Sequence, residues 1–302
     1  MMIILQIILL IITAPLLSGL ITKIKNNLRM RKGQSVLQPY YNLAKLFFKD
    51  EVISETASWI FRVTPFVVLS STLVVGILIP VFIFISPVHQ MGDFLVIVFI
   101  FALGRFFLAL SALDTGSSFG GMGASREMFI SSLVEPALCM VIFAVSLQFG
   151  STDISAFSSM HVISVSSVVA ALALFLITIA ETSRIPVDNQ ETHLELTMVH
   201  EAMVLEYSGR SLALIEMASY IKQMILFFLI AQLIFPIGLP VGNFAQILPW
   251  VLWYLIRIGI IAVLVVLVEV SVAKMRLFRA ADFLGFAFVL GVVATVCVIL
   301  GV

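Results

Sequence analysis

The sequence predicts an all-α, polytopic integral membrane protein. Three observations carry that prediction: the chain is 61% hydrophobic and only 11% charged over 302 residues, apolar runs of about 20 residues recur along it, and lysine and arginine gather in alternate connections. Eight spans are expected, near residues 2–21, 65–86, 94–113, 126–149, 160–181, 211–235, 247–270 and 281–301. Together they make residues 1–302 a single membrane domain. The first span has no lysine or arginine before it and no small-residue cleavage site after it, so it reads as a retained helix rather than a signal peptide.

The basic residues orient the chain. Lys23, Lys25, Arg29, Arg31, Lys32, Lys45, Lys49 and Arg62 lie between the first two spans. Arg126, Arg184, Arg210, Lys274, Arg276 and Arg279 lie in or beside the other odd-numbered connections, whereas the even ones, near 87–93, 150–159 and 236–246, have neither lysine nor arginine. The positive-inside rule then places both termini outside and the connections near 22–64, 114–125, 182–210 and 271–280 in the cytoplasm, in a cell inner membrane. The formal net charge is zero, and the concentrated basic stretch flanks a span, where anionic lipid is the ordinary partner. Nucleic acid binding is excluded on that ground.

Taken in order, the first connection contains QPYYNLAKLFFKD. Pro39 suits a first helical position, and Asn42, Lys45 and Lys49 recur at helical spacing among apolar neighbours. A short helix in the membrane plane is expected, either anchored to lipid or shaping a ligand entrance. The third connection, LDTGSSFGGMGASRE, is rich in glycine but lacks the preceding strand and the lysine of a phosphate-binding loop. A tight turn, covered by another protein, is the expectation there. The fifth connection is about thirty residues long, far more than a turn needs, and it carries AETSRIPVDNQETHLELTMVHEAMVLEYSGRSLAL. Glu191 and Glu195, four apart, share a face if that stretch is helical.

Charges recur within the spans themselves. Arg105, Glu135, Lys222 and Arg257 each fall about halfway along a span, which places them in one layer near the midplane, and each costs roughly 3 kcal/mol to insert. Glu181, Glu216, Glu269 and Asp114 fall at the cytoplasmic ends of their spans and form an acidic funnel above that layer. Such charges either pair and clamp helices, Glu135 with Arg105 foremost, or form a chain of proton-exchanging groups.

Covalent and metal chemistry find no pattern. The sequence holds no nucleophile elbow and no HExxH helix, and its two cysteines, Cys139 and Cys297, lie in separate spans. His193 and His200 stand alone. No metal, iron–sulfur cluster or haem site is expected in this chain.

Across nearly the whole chain the sequence resembles the subunit 1 family of respiratory complex I and its relatives in membrane-bound [NiFe] hydrogenases. RKGQSVLQPYYNLAKLF follows the family's first loop, with Gln34 in place of the usual proline. The fifth connection supplies Glu181, Arg184, Pro186, Asp188, Glu191, Glu195 and Leu196 in register with the family's acidic loop, with Val187 for phenylalanine and His193 for a glutamate. FFLALSALDTGSSFGGMGASREM is similar to the formate hydrogenlyase and hydrogenase-4 branch. The resemblance implies a coupling subunit without a redox centre, docked to hydrogenase-like large and small iron–sulfur subunits on the cytoplasmic side and to antiporter-like membrane subunits. It implies a path for protons, or sodium ions, through Glu135, Glu181, Glu191, Glu195 and Glu206, with Arg184 and Asp188 shaping the loop. Iron–sulfur clusters and a [NiFe] site would belong to the partners. The alternative is the quinone-site subunit of a proton-pumping NADH:quinone oxidoreductase; the departures at Gln34, Val187 and His193 all fall around the quinone cleft of that branch. A free-standing secondary transporter is a third reading, against which no pair of interrupted spans occurs in matching halves.

Overall fold

A computed structural model of the chain describes residues 2–81, 92–154, 164–188, 198–236 and 244–301. Among these residues there are ten helices and no named strand; Asp93 and Asp153 form an isolated bridge. The helices are α1 (Met2–Leu28), α2 (Gln38–Phe47), α3 (Trp59–Leu78), α4 (Phe94–Asp114), α5 (Ser118–Phe149), α6 (Val165–Glu181), α7 (His200–Val204), α8 (Gly209–Ile234), α9 (Phe244–Ser271) and α10 (Leu277–Leu300). Seven are long and apolar enough to cross a bilayer, and α6, at 17 residues, is a shorter apolar helix. The chain is an all-α polytopic membrane protein.

Local chemistry sets most helix starts. Ser58, Asp93 and Ser117 accept the backbone N–H groups of Ile60, Leu95 and Gly120, and Ser164 and Ser167 form a reciprocal capping box at α6, so donors that a helix leaves unpaired are satisfied by short polar side chains. At the start of α8 glycine is required: Gly209 has φ +51°, and a Cβ there would lie 2.7 Å from the Asp50 carbonyl oxygen.

The centre of the bundle is α8, in which every residue from Gln223 to Leu233 is buried. Helices α1, α3, α6 and α9 pack on it, while α10 lies against α5 and α6. The apolar side chains left exposed, among them Phe99 on α4, Phe143 on α5, Ile256 on α9 and Phe286 on α10, form the surface a bilayer or a neighbouring subunit covers.

Three expectations change here, and part of a fourth falls on residues that are not described. The glycine-rich third connection is not a turn of ten residues. Only Thr115–Ser117 separate α4 from α5, and α5 incorporates the glycines from Gly120 onward. Their use is close approach: a Cβ at Gly123 would lie 2.9 Å from the Ala202 Cβ on α7 and 3.0 Å from the Val199 carbonyl oxygen just before it. The second span starts at Trp59, with Pro65 inside the helix, rather than at residue 65. The first runs on to Leu28 instead of stopping near residue 21. The fifth is described only from Val165; residues 160–163 of the expected span lie outside the described residues. The helix expected in the first connection occurs as α2, with Pro39 in its first turn and buried with Leu43; the Tyr40 hydroxyl donates to the Ile12 carbonyl of α1.

Candidate functional site

Helix α6 is too short to cross a hydrocarbon core of about 30 Å at about 1.5 Å per residue within the part described, and it stops inside the bundle. Its last residue, Glu181, is level with Arg105, midway along α4, and with Lys222, midway along α8, because it touches both. The Arg105 guanidinium pairs with Glu181 through one nitrogen and with Glu135 on α5, at 2.9 Å, through the other. Lys222 Nζ lies 2.5 Å from the second oxygen of Glu181 and 5.9 Å from the centre of the Phe101 ring. Two cations and two carboxylates from four helices thus balance. The Glu181 side chain is 4% exposed and that of Glu135 42%, so the network runs from the protein interior to its flank.

Below Glu181 the chain is irregular yet buried. Ser183, Ile185, Val187 and Asp188 are each less than about a tenth exposed, and irregular backbone at membrane depth is tolerated only where protein or a wet cavity surrounds it. A second charge network holds it. Glu269 near the end of α9 accepts Arg184 at 2.7 Å and Lys25 of α1 at 2.9 Å. Asp188 binds Lys274 at 2.8 Å through one oxygen and accepts the backbone N–H groups of Val199 and His200, both at 3.2 Å, through the other. Asp188 therefore closes the base of the loop that carries Glu191, His193 and Glu195, which themselves lie outside the described residues. The Met275 N–H donates to the Pro186 carbonyl at 2.9 Å, tying the α9–α10 link to the same segment.

Between the two networks lies a cleft of about 80 Å³. Arg105, Glu127, Glu181, Arg184, His200 and Lys222 supply its charge and Val68, Phe101, Leu108, Met203 and Ile215 its apolar wall. His200, at the start of α7, has its imidazole pKa lowered chiefly by burial and also by Lys222, against opposing pulls from Glu201, Asp188 and Glu181. A folded state that binds this proton less readily than the unfolded chain loses stability as pH falls below about 6.5, the unfolded value. Thermal midpoints of the purified protein taken above and below that pH should therefore drop on acidification, and His200→Gln should remove part of the drop; an unchanged pH dependence in that variant would show that His200 is not its source.

The structure separates several residues that sequence reasoning had grouped. Arg257 does not share a layer with Arg105 and Lys222. It is buried against Gln232 and the Phe235 carbonyl, at 3.3 and 2.9 Å, about 15–20 Å further along α8 than Lys222, where it caps the end of that helix. Asp114 accepts the Ser58 N–H at 2.8 Å and so holds the start of α3. Glu206 is exposed, and Glu216 is bonded to Tyr220 one turn along α8; neither lines the cleft. Glu181 and Glu269, assigned to one acidic funnel, belong to different networks, and Glu181 is part of the midplane layer. For Glu181 the cause is that span midpoints measure depth only if every span crosses straight and completely, and α6 does not.

Sequence reasoning missed the roles of Glu127, His200 and Lys25. Glu127 stands eight positions before Glu135, a spacing that keeps both on one helix face; with the span started at residue 126 it falls at the span's edge, where a carboxylate draws no notice. Among the described residues, no three His, Cys, Asp or Glu side chains converge as a metal site.

A bundle with a buried charge network at mid-depth and an irregular connection folded into it defines a polytopic membrane protein with an internal polar cluster. The chain belongs to the family described as NADH dehydrogenase, whose model matches residues 1–300. It is 34% identical over 289 residues to hydrogenase-4 component C of Escherichia coli (strain K12), covering 93% of this chain and 91% of that one. It is 31% identical over 278 residues to formate hydrogenlyase subunit 4 of the same organism, covering 90% of each. The fold matches a chain of the membrane-bound sulfane sulfur reductase, an archaeal respiratory membrane complex, with a TM-score of 0.79 and 19% identity, covering 99% of this chain and 100% of the other.

Proposed function

We propose that this chain is the integral-membrane coupling subunit of a multisubunit hydrogenase-type complex. It docks a peripheral redox arm against the α2 end and links electron transfer there to proton or sodium translocation by neighbouring antiporter-like subunits. The α2 end faces the cytoplasm and both termini lie outside, in the inner membrane. The observation that carries this reading is the sunken connection after α6: the segment a docked arm would touch is continuous with Glu181, so a displacement at the surface reaches a buried ion-pair network without crossing an unbroken helix. Glu191 and Glu195, which lie outside the described residues, are assigned to the start of the path, which continues to Glu181 and leaves through half-exposed Glu135. Glu206 and Glu216 are further acids of the same inner side. The 34% and 31% identities to hydrogenase-4 and formate hydrogenlyase components support the branch.

The donor set of this chain does not fit an iron–sulfur or nickel centre. Cys139 is exposed on α5 and Cys297 lies on α10, and a cluster needs several thiolates together. Such centres are assigned to the partners. The cleft's apolar wall beside charged groups also suits a ring with two carbonyl oxygens, which keeps the quinone reductase reading open to test. Purifying the complex through a tag on this chain and assaying hydrogen turnover and quinone reduction decides between them. Hydrogenase subunits with hydrogen turnover support the proposal, a quinone-reducing assembly replaces it, and a chain that purifies alone overturns both.

A further inference from the structure

The cleft contains a carboxyl group that the ion pairs leave aside. Arg105 and Lys222 are both engaged by Glu181, and Glu127, facing the same cavity from α5, has no ion-pair partner among the described residues. The charges that act on it are Lys222 and Arg105, Glu181, and Asp188. His200 faces the cavity from α7, within reach of Glu201, Lys222, Asp188 and Glu181. The two elements are pressed together where Gly123, one turn before Glu127, meets Val199, Ala202 and Met203, and Arg126 donates to the Met198 carbonyl at 3.0 Å. Glu127 and His200 therefore face one cleft from two elements that touch at Gly123, and Glu135 lies about 12 Å further along α5.

We propose that Glu127 and His200 form a proton-loading pair in which Glu127 exchanges Lys222 with Glu181. This inference rests on the coupling reading above. The exchange starts from a loaded state in which Glu127 carries a proton and Lys222 is bound to Glu181, as in the structure. A proton passes from the Glu127 carboxyl to the Glu181 carboxylate; the ammonium of Lys222 leaves the now neutral Glu181 and pairs with the Glu127 carboxylate. One proton has moved inward, one cation has moved outward, and the net charge of the cleft is unchanged, which avoids the cost of an uncompensated buried charge. His200, with one ring nitrogen as acceptor and the other as donor, then reloads Glu127, and Lys222 returns as Glu181 passes its proton toward Glu135.

The test uses the whole complex in liposomes, with ion translocation per turnover read against pH. Glu127→Gln fixes the neutral form without changing shape. It should leave the subunits assembled, lower translocation by at least about tenfold, and remove a protonated-carboxyl band from the infrared spectrum. His200→Gln should slow reloading and displace the alkaline limb of the pH profile. If Glu127→Gln fails to assemble, Glu127→Asp carries the test: a displaced pH profile supports the exchange, and an unchanged one overturns it. Full coupling in Glu127→Gln alongside loss of coupling in Glu181→Gln overturns this proposal and leaves the coupling reading standing. Full coupling in both variants overturns the coupling path itself.

Discussion

Replacing Glu181 with glutamine is expected to abolish ion translocation and to destabilise the subunit by about 3–5 kcal/mol, the usual cost of removing one member of a buried charge network. The size follows from the geometry. Glu181 is the shared partner of Arg105 and Lys222; without it Arg105 keeps Glu135 at 2.9 Å, whereas Lys222 loses its ion pair and keeps the face of Phe101 at 5.9 Å, worth about 0.5–2 kcal/mol, with Glu127 across the same cleft. A second change, Lys222→Met, removes the stranded cation. The double variant should recover most of the lost thermal stability, because charge balance returns, yet remain uncoupled because no carboxyl is left at that position. Thermal unfolding in detergent reads the first effect and translocation in liposomes the second. Recovery of coupling in the double variant would exclude Glu181 as a proton carrier and leave it a structural clamp.

Asp188→Ala is expected to have the next largest effect. It deletes the Lys274 ion pair and strands the N–H groups of Val199 and His200, in a position only 2% exposed. The loss is about 3–5 kcal/mol for the broken pair, with two unpaired donors adding to it. Because Asp188 joins the two ends of the 189–197 segment, the damage should concentrate there. Limited proteolysis should cut that segment in the variant before any helix link, and the peripheral subunits should be lost on mild washing. Asp188→Asn, which can still accept hydrogen bonds from the two amides, should retain part of the docking. Equal proteolysis of wild type and Asp188→Ala would exclude this carboxylate as the base of the loop.

The two networks explain how far the candidate site was legible in the sequence. Arg105, Glu135, Lys222 and Glu181 announce themselves because charges are costly in an apolar span, whatever they touch. Their partners do not. The pairing of Glu181 with residues that seemed a layer away depends on where α6 ends, and no local signal placed that end halfway into the bundle. Glu127 and His200 were overlooked for a related reason: each has ordinary local surroundings and becomes notable only when α5 and α7 meet over Gly123. Arg257 erred in the opposite direction, since its position along α9 suggested the midplane while its contacts at Gln232 and Phe235 make it the cap of α8.

Composition and hydrophobic run lengths by themselves determined that this protein is an all-helical membrane bundle, and capping residues such as Ser58, Asp93 and Ser164 determined where several helices start, because burial in lipid and local amide satisfaction depend on residues close in the chain. Tertiary structure alone decided which charges meet. Lys25, Arg184 and Glu269, or Arg105, Glu135, Glu181 and Lys222, come from distant segments, and an ion pair falls off with distance in space, a quantity that spacing along a chain does not fix when one helix stops short and its connection folds inward.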